Sequence, residues 1–260
     1  MELQFIGTGS AFTIGDSNYQ SNMLLRSRVG RTLLLDCGTD VRLALYELGL
    51  SYRDIDDVYI SHLHSDHVGG LEWLGLSTKY DPRCAKPIMY INEFICDDLW
   101  EHVLAGGLRP LQDDKGELET FFTVQRVKRQ GSFIWQGTEF KQVETIHIDK
   151  GPIIMPSFGL LFTVNDHKTF LTTDTQFTPD HLAAVFAEAD LIFHDCEILK
   201  MHTGVHANYQ DLKTLDSKIK AKMWLYHYNP GHLPDAKADG FRGFVLKGQV
   251  FDLTDPRIYG

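Results

Sequence analysis

Asp57-Val58-Tyr59-Ile60-Ser61-His62-Leu63-His64-Ser65-Asp66-His67 decides how the rest of this chain is read. A short apolar, β-branched run ends in four ligand-type side chains packed into six positions. His62 and His64 lie two apart, so an extended loop turns both toward one point. Asp66 and His67 follow immediately and reach a second point nearby. Imidazole and carboxylate are the ligands zinc prefers, and a catalytic site keeps a water-filled position among them. A loop that follows a buried strand is a rigid place to mount such groups. Gly69-Gly70 then opens a further helix.

Upstream, Glu2-Leu3-Gln4-Phe5-Ile6 reads as a first strand, ending in the glycine-permitted turn Gly7-Thr8-Gly9-Ser10. The N-terminus lacks the basic and apolar regions of a signal peptide. Asn22-Met23-Leu24-Leu25 and Thr32-Leu33-Leu34-Leu35 are the next strands, the latter running into Asp36-Cys37-Gly38. Asp40 is the expected cap of a helix with Val41, Ala44, Leu45 and Leu48 at helical spacing, stopped by Gly49. Residues 92–131 show mixed periodicity, with a Gly106-Gly107 break and a polar turn at Gln112-Asp113-Asp114-Lys115-Gly116. They read as an insertion within the domain. Strands return at Ser132–Trp135, Glu144–His147, Leu160–Val164 and Thr169–Thr172. Thr178-Pro179 starts a helix with Leu182, Val185, Phe186 and Ala189 on one face. Leu191-Ile192-Phe193, a helix over 209–219, and Met223-Trp224-Leu225-Tyr226 complete the pass. No internal repeat stands out. Two strand-rich halves, each with helices, predict an α/β fold over residues 1–260: a single domain of two face-to-face sheets with helices outside, a four-layer αββα sandwich.

Two metals need more ligands than one loop supplies. His147 ends the 144–146 strand, Asp174 ends the 171–173 strand and His227 ends the 223–226 strand. The two oxygens of Asp174 are able to bridge both ions. Three ligand types at three strand ends make a joint case that no single one makes alone.

Composition narrows the partner. The chain carries 25 Lys and Arg against 35 Asp and Glu, a formal charge of −10. Proteins that grip long nucleic acids neutralise several phosphates with cations. Here the average field repels a polyanion, and the only dense cationic stretch is Arg126-Val127-Lys128-Arg129. A small anionic substrate fits better than long nucleic acid. No apolar run approaches the roughly 20 residues of a membrane helix, so no membrane partner is expected. Cys37, Cys84, Cys96 and Cys196 are dispersed and read as reduced, mostly buried thiols, consistent with a cytoplasmic protein.

On these residues the chain resembles the metallo-β-lactamase superfamily. The resemblance rests on the HxHxDH motif of His62 to His67, on Asp36 in Asp36-Cys37-Gly38, and on His147, Asp174 and His227. It implies two divalent ions, zinc first and manganese second. One would take His62, His64 and His147, the other Asp66, His67 and His227, with Asp174 bridging. Asp66 also counts among the catalytic residues on this reading, while Asp36 supports the loop without touching metal. Two ions about 3.5–4 Å apart polarise a substrate and activate water.

The termini narrow the resemblance further. Phe5-Ile6-Gly7-Thr8-Gly9-Ser10, Pro156-Ser157-Phe158-Gly159-Leu160, Leu191-Ile192-Phe193-His194-Asp195 and Gly204-Val205-His206 are similar to the branch holding tRNA 3′-processing endonucleases and cyclic-nucleotide phosphodiesterases. The resemblance makes His206 a catalytic proton donor, oriented by Asp195, with Glu197 as the alternative orienting carboxylate. The segment from His202 to Tyr209 is most similar to the anti-Pycsar phosphodiesterases of phages and bacteria. That implies a dinuclear metal-dependent hydrolase opening cyclic mononucleotides, including cCMP and cUMP, to 5′-monophosphates. It also implies a homodimer, acting in the host cytoplasm if phage-encoded. The rivals are a tRNA 3′-processing endonuclease, a glyoxalase-like thioesterase and a non-catalytic cyclic-nucleotide-binding protein. His102, His167, His181, His202 and His232 read as surface or packing residues, and His194 as structural or supporting.

Overall fold

The computed structural model describes residues 1–15, 18–112 and 114–259. Two seven-stranded sheets lie face to face. The first comprises β1 (Glu2–Phe5), β2 (Met23–Arg26), β3 (Thr32–Leu35), β4 (Asp57–Ile60), β5 (Ile88–Asn92) and β6 (Thr123–Val127), with β14 (Val250–Asp252) beside β1. The second runs β7 (Ser132–Trp135), β8 (Thr138–Lys150), β9 (Ile153–Val164), β10 (His167–Leu171), β11 (Leu191–Asp195), β12 (Met223–Tyr226) and β13 (Gly243–Phe244). Both sheets are built alike. Their early strands pair antiparallel, and from β3 and from β10 onward the pairing is parallel.

The layers follow from the period-two alternation of side chains along each strand. Leu33, Leu35 and Tyr59 point inward to meet Phe133, Phe140, Phe162, Phe193 and Tyr226 of the other sheet. Leu34, Val58 and Ile60 point outward and are covered by α1 (Val41–Glu47) and α3 (Leu71–Tyr80), through Val41, Ala44, Leu45, Leu71 and Leu74. On the far side, Phe170, Ile192 and Leu225 are covered by α7 (Pro179–Glu188) and α8 (Tyr209–Leu212). The fold is therefore the four-layer αββα sandwich.

Several local expectations are corrected. Residues 92–131 are not an insertion. α4 (Glu93–Asp98), a π-helical turn over Leu99–Leu104, α5 (Ala105–Leu108) and α6 (Leu118–Phe121) form the crossover from β5 to β6, which completes the first sheet. β6 is an edge strand with only Val127 fully buried, so it shows no clear alternation in the sequence. Asp113, within the expected polar turn, lies outside the described residues. Four strands come in addition to those read from the sequence: β5, β6, β13 and β14. The helix expected over 209–219 is two short ones, α8 and α9 (Ser217–Lys220). Asp40 and Thr178 precede their helices but make no capping bond. The Asp40 carboxylate instead accepts from the Gln20 N–H at 3.0 Å, tying the second strand's approach to α1. Gly49, at φ +71°, is the left-handed stop expected of it. No helix among the described residues is long and apolar enough to cross a membrane.

Candidate metal centre

In parallel sheets, functional groups gather beyond the carboxyl ends of the strands. Here Asp36, His62, Asp174, Asp195 and His227 stand at or just past the ends of β3, β4, β10, β11 and β12. The chain turns sharply at three of these points. Asp36, Thr173 and His227 have φ of 62°, 55° and 63°, a conformation that L side chains rarely adopt and that is costly for a β-branched threonine. His147 comes from a different device. The β8–β9 register slips between Ile146 and Ile148, opposite Pro156, so His147 is the extra residue of a bulge that aims its ring inward. Gln176 secures the bulge, donating from its side chain to the His147 carbonyl at 2.8 Å and from its N–H to the Ile146 carbonyl at 2.7 Å.

The His62–His67 loop is held by Asp36. One carboxylate oxygen accepts from the Ser61 N–H at 2.8 Å; the other accepts from the Ser61 hydroxyl and from His67 Nδ1–H, each at 2.7 Å. α2 (Ser65–Val68) then presses its backbone against Gly38, where an added Cβ would lie 2.1 Å from the Asp66 carbonyl. Only glycine allows that approach.

Three groups of donors share Asp174: one joins it to Asp195, His206 and His227, and the other two are the expected metal sites. In the first of these two sites, His62 Nε2 and His64 Nδ1 are 3.2 Å apart, His64 Nδ1 and His147 Nε2 2.9 Å, and His62 and His147 lie 3.6 and 3.8 Å from Asp174 Oδ2. In the second, His67 Nε2 is 3.1 Å from Asp66 Oδ2 and 3.4 Å from Asp174 Oδ2, and His227 Nε2 is 3.4 Å from Asp66 Oδ2 and 3.5 Å from Asp174 Oδ1. Bonds of about 2.0–2.1 Å to a tetrahedral ion require donors about 3.3 Å apart, so both groups have the right size for a divalent metal. Three of the donor atoms are also free to bind. His67 Nε2 and both oxygens of Asp174 are buried without a hydrogen-bond partner, which in a folded protein calls for an explanation. Outer nitrogens are engaged instead: His62 Nδ1 with the Ser61 hydroxyl at 3.0 Å, and His147 Nδ1–H donating to the Val205 carbonyl at 2.9 Å. Such contacts fix which ring nitrogen faces the metal.

Charge tells the same story. Burial holds the His62 imidazolium well below its ordinary value, and the neighbouring His67 adds to this. Burial also works against charge on His227, but Asp174, Asp195 and Asp66 outweigh it and lift the imidazolium to about 10. His67 is raised for the same reason by Asp174, Asp66 and Asp36. Buried carboxylates in one cluster demand positive charge, which imidazolium protons or divalent ions can supply.

Beside this centre, His206 Nδ1–H donates to Asp195 Oδ2 at 2.8 Å and lies 3.9 Å from Asp174. Asp195 Oδ2 also accepts from the Thr175 N–H, and Oδ1 faces His227 Nδ1 at 3.3 Å. Burial disfavours a charged His206, yet Asp195 and Asp174 raise its value. Glu197 does not orient His206; its carboxylate turns to Thr203 and Asn208. All seven residues expected to hold metal, together with Asp195 and His206, are thus brought together. His194 is buried and its Nδ1 meets the Asp195 carbonyl at 2.6 Å, a supporting position. His102, His181 and His202 contact only surface groups, and His167 stacks on Tyr259. Sequence reasoning missed Ser61, Gln176 and the Val205 carbonyl. A backbone carbonyl leaves no residue-type signal to find. A cleft of about 600 Å³ is lined by Thr13, Asn18, Tyr228, Asn229, Pro230, Leu246 and neighbours, and none of the metal-centre residues lines it.

Fold and site together define a metallo-β-lactamase-fold protein. Solved structures agree: the metallo-β-lactamase fold protein YhfI of Bacillus subtilis superposes with a TM-score of 0.74 at 17% identity, covering 96% of this chain and 99% of that one. Human tRNase Z, short form, gives 0.69 at 20%, covering 97% and 99%. Within that class, the family model described as anti-Pycsar protein Apyc1 matches residues 1–251, and the chain belongs to this family. The Apyc1 protein of Paenibacillus harenae is 36% identical over 230 residues, 88% of this chain and 90% of its own length.

Proposed function

We propose that the chain is a dinuclear metal-dependent phosphodiesterase that opens 3′,5′-cyclic mononucleotides, cCMP and cUMP together with cAMP and cGMP, to nucleoside 5′-monophosphates. Removing such a messenger would counteract Pycsar antiphage signalling, in keeping with the name of the family. The observation that carries the reading is the joint one: two donor groups share Asp174, and the His206–Asp195 pair stands against the same carboxylate.

His62, His64 and His147 would hold one ion, Asp66, His67 and His227 the other, with Asp174 between them. Imidazole and carboxylate donors suit zinc, with manganese second. Bound ions supply Lewis acidity and a nucleophile at neutral pH. The chain's own residues do the rest. The oxygen of water bonds to phosphorus, the P–O3′ bond breaks, and His206 gives its proton to the departing O3′. The proton lost by the attacking water restores His206. Asp195 keeps that ring aligned and favours its charged form; a positioned general acid contributes about 10²–10⁴-fold.

A tRNA substrate finds little support. Each cation of the one dense basic stretch is paired: Arg126 with Asp97 at 2.7 Å, Lys128 with Glu93 at 2.8 Å and Arg129 with Glu144 at 2.6 Å. A homodimer and a cytoplasmic setting belong to the same reading, from the family resemblance and the four free cysteines. Incubating metal-loaded protein with cyclic mononucleotides and, separately, with precursor tRNA, then separating products by chromatography, tests the proposal. It expects 5′-monophosphates and intact tRNA. Unchanged cyclic nucleotides, with or without trimmed tRNA, would overturn it.

A further inference from the structure

Glu197 is buried two residues past Asp195, yet none of the three donor groups uses it. Its carboxylate turns into the base of segment 198–207. The Thr203 N–H donates to its two oxygens at 3.0 and 3.3 Å, the Thr203 hydroxyl donates to Oε2 at 2.6 Å, and Asn208 Nδ2 donates to Oε1 at 3.3 Å. The backbone of Glu197 closes the same loop. Its N–H donates to the Ala207 carbonyl and its carbonyl accepts from the Tyr209 N–H, both at 2.9 Å.

The segment has little else to hold it. Residues 199–204 are all exposed and add nothing to the core. Its start is tied by Asn208 to the Leu199 carbonyl and by Asn229 to the Ile198 N–H. Its middle is tied at Thr203, whose hydroxyl also accepts from the Val205 N–H at 3.4 Å, and at the half-exposed His202, whose Nδ1 lies 3.3 Å from Asp211 Oδ2. Two functional groups ride on the far end. The Val205 carbonyl receives His147 Nδ1–H, and His206 meets Asp195.

We infer that Glu197 is a positioning residue: it clamps segment 198–207 through Thr203, so that one loop sets both the ring of the metal-site residue His147 and the imidazole of His206. The inference rests on the proposed role of His206 for its kinetic consequence, but not for its structural one. A glutamine can keep the bonds from the Thr203 N–H and Asn208 and replace the one the Thr203 hydroxyl donates with one its own amide donates to that hydroxyl. An alanine makes none.

The test compares Glu197→Ala, Glu197→Gln, Thr203→Val and His206→Ala on a cyclic mononucleotide and on bis(p-nitrophenyl) phosphate, whose phenolate leaves without a proton. Misplacement of a catalytic group by about 1 Å costs about 100-fold. At saturating zinc, which offsets any weakening of the metal site through His147, Glu197→Ala is expected to lower kcat on the cyclic nucleotide by about 10- to 100-fold with little change in KM, and to spare the p-nitrophenyl ester, as His206→Ala should. Glu197→Gln should stay within about threefold of wild type, and Thr203→Val, at an exposed site that folding tolerates, should shift in the same direction as alanine. Hydrogen exchange gives the readout independent of activity. Amides 199–206 should exchange faster in Glu197→Ala and Thr203→Val while the sheets are unchanged. Equal losses on both substrates, or unchanged exchange in Thr203→Val, refute the clamp. Wild-type protein inert toward cyclic nucleotides but showing the exchange effect would sink the functional reading and leave the clamp standing.

Discussion

Replacing Asp174 with asparagine keeps the side-chain volume and removes one negative charge from the point where the two donor groups meet. In the native chain its oxygens lie 3.4–3.8 Å from the inward nitrogens of His62, His67 and His147, and 3.5 Å from that of His227. At that separation a unit charge pair interacts by about 4–5 kcal/mol at an effective dielectric of about 20. If the amide oxygen keeps half or more of this, each site loses no more than about 2 kcal/mol for every unit of ionic charge. A divalent ion then binds about 10²–10³-fold more weakly. The assay is thermal melting with and without chelator. Zinc at about 1,000 times the wild-type Kd stabilises the native chain by about 4 kcal/mol, but the variant by only about 0.4–1.4 kcal/mol. The metal-dependent rise in Tm, about 10 °C for a chain of this size, should therefore shrink to a few degrees. Activity should fall with it. An undiminished metal-dependent rise in Asp174→Asn, at normal metal content, would show that the carboxylate does not join the two groups.

Other outcomes are equally concrete. His206→Ala should lose about 10²–10⁴-fold in kcat on cyclic nucleotides while binding its full complement of metal; a parallel loss of metal would make it a ligand instead. The chelated protein should lose stability as pH rises from about 7 through 10. Its raised His227 holds in the folded state a proton that the unfolded chain releases near 6.5, so the contribution is complete below that value and gone above about 10. The loaded protein should show the opposite trend on the acid side, because protons compete with metal for the same nitrogens. Chelated and loaded melting temperatures with the same pH slope would refute this account. Gly38→Ala should destabilise by about 1–3 kcal/mol and weaken metal binding, because the new methyl would lie 2.1 Å from the Asp66 carbonyl. Unchanged affinity for zinc in that variant would mean the loop at Gly38 does not set the position of Asp66.

The chemistry of the centre was legible in the residues alone. Four ligand types in six positions after an apolar strand name a metal loop without any knowledge of the fold, and strand-end His147, Asp174 and His227 are visible by the same local logic. Most of the alternating or apolar strands were legible too, because burial on one or both faces leaves a trace, although β5, apolar and buried, was passed over. β6 left none, since an edge strand is mostly exposed, and β13 and β14 are too short to carry a period. The convergence itself belongs to tertiary structure. Only the stacking of two sheets places His62 beside His147, at positions 85 residues apart, and makes Asp174 common to both donor groups. The choice between Asp195 and Glu197 was likewise settled in space. The two carboxylates are chemically alike and two residues apart, but the first ends a strand facing His206 and the second turns away to Thr203. The His62–His67 motif thus determines that metal is bound, whereas sheet packing, a bulge at His147 and a clamped loop determine what stands around it.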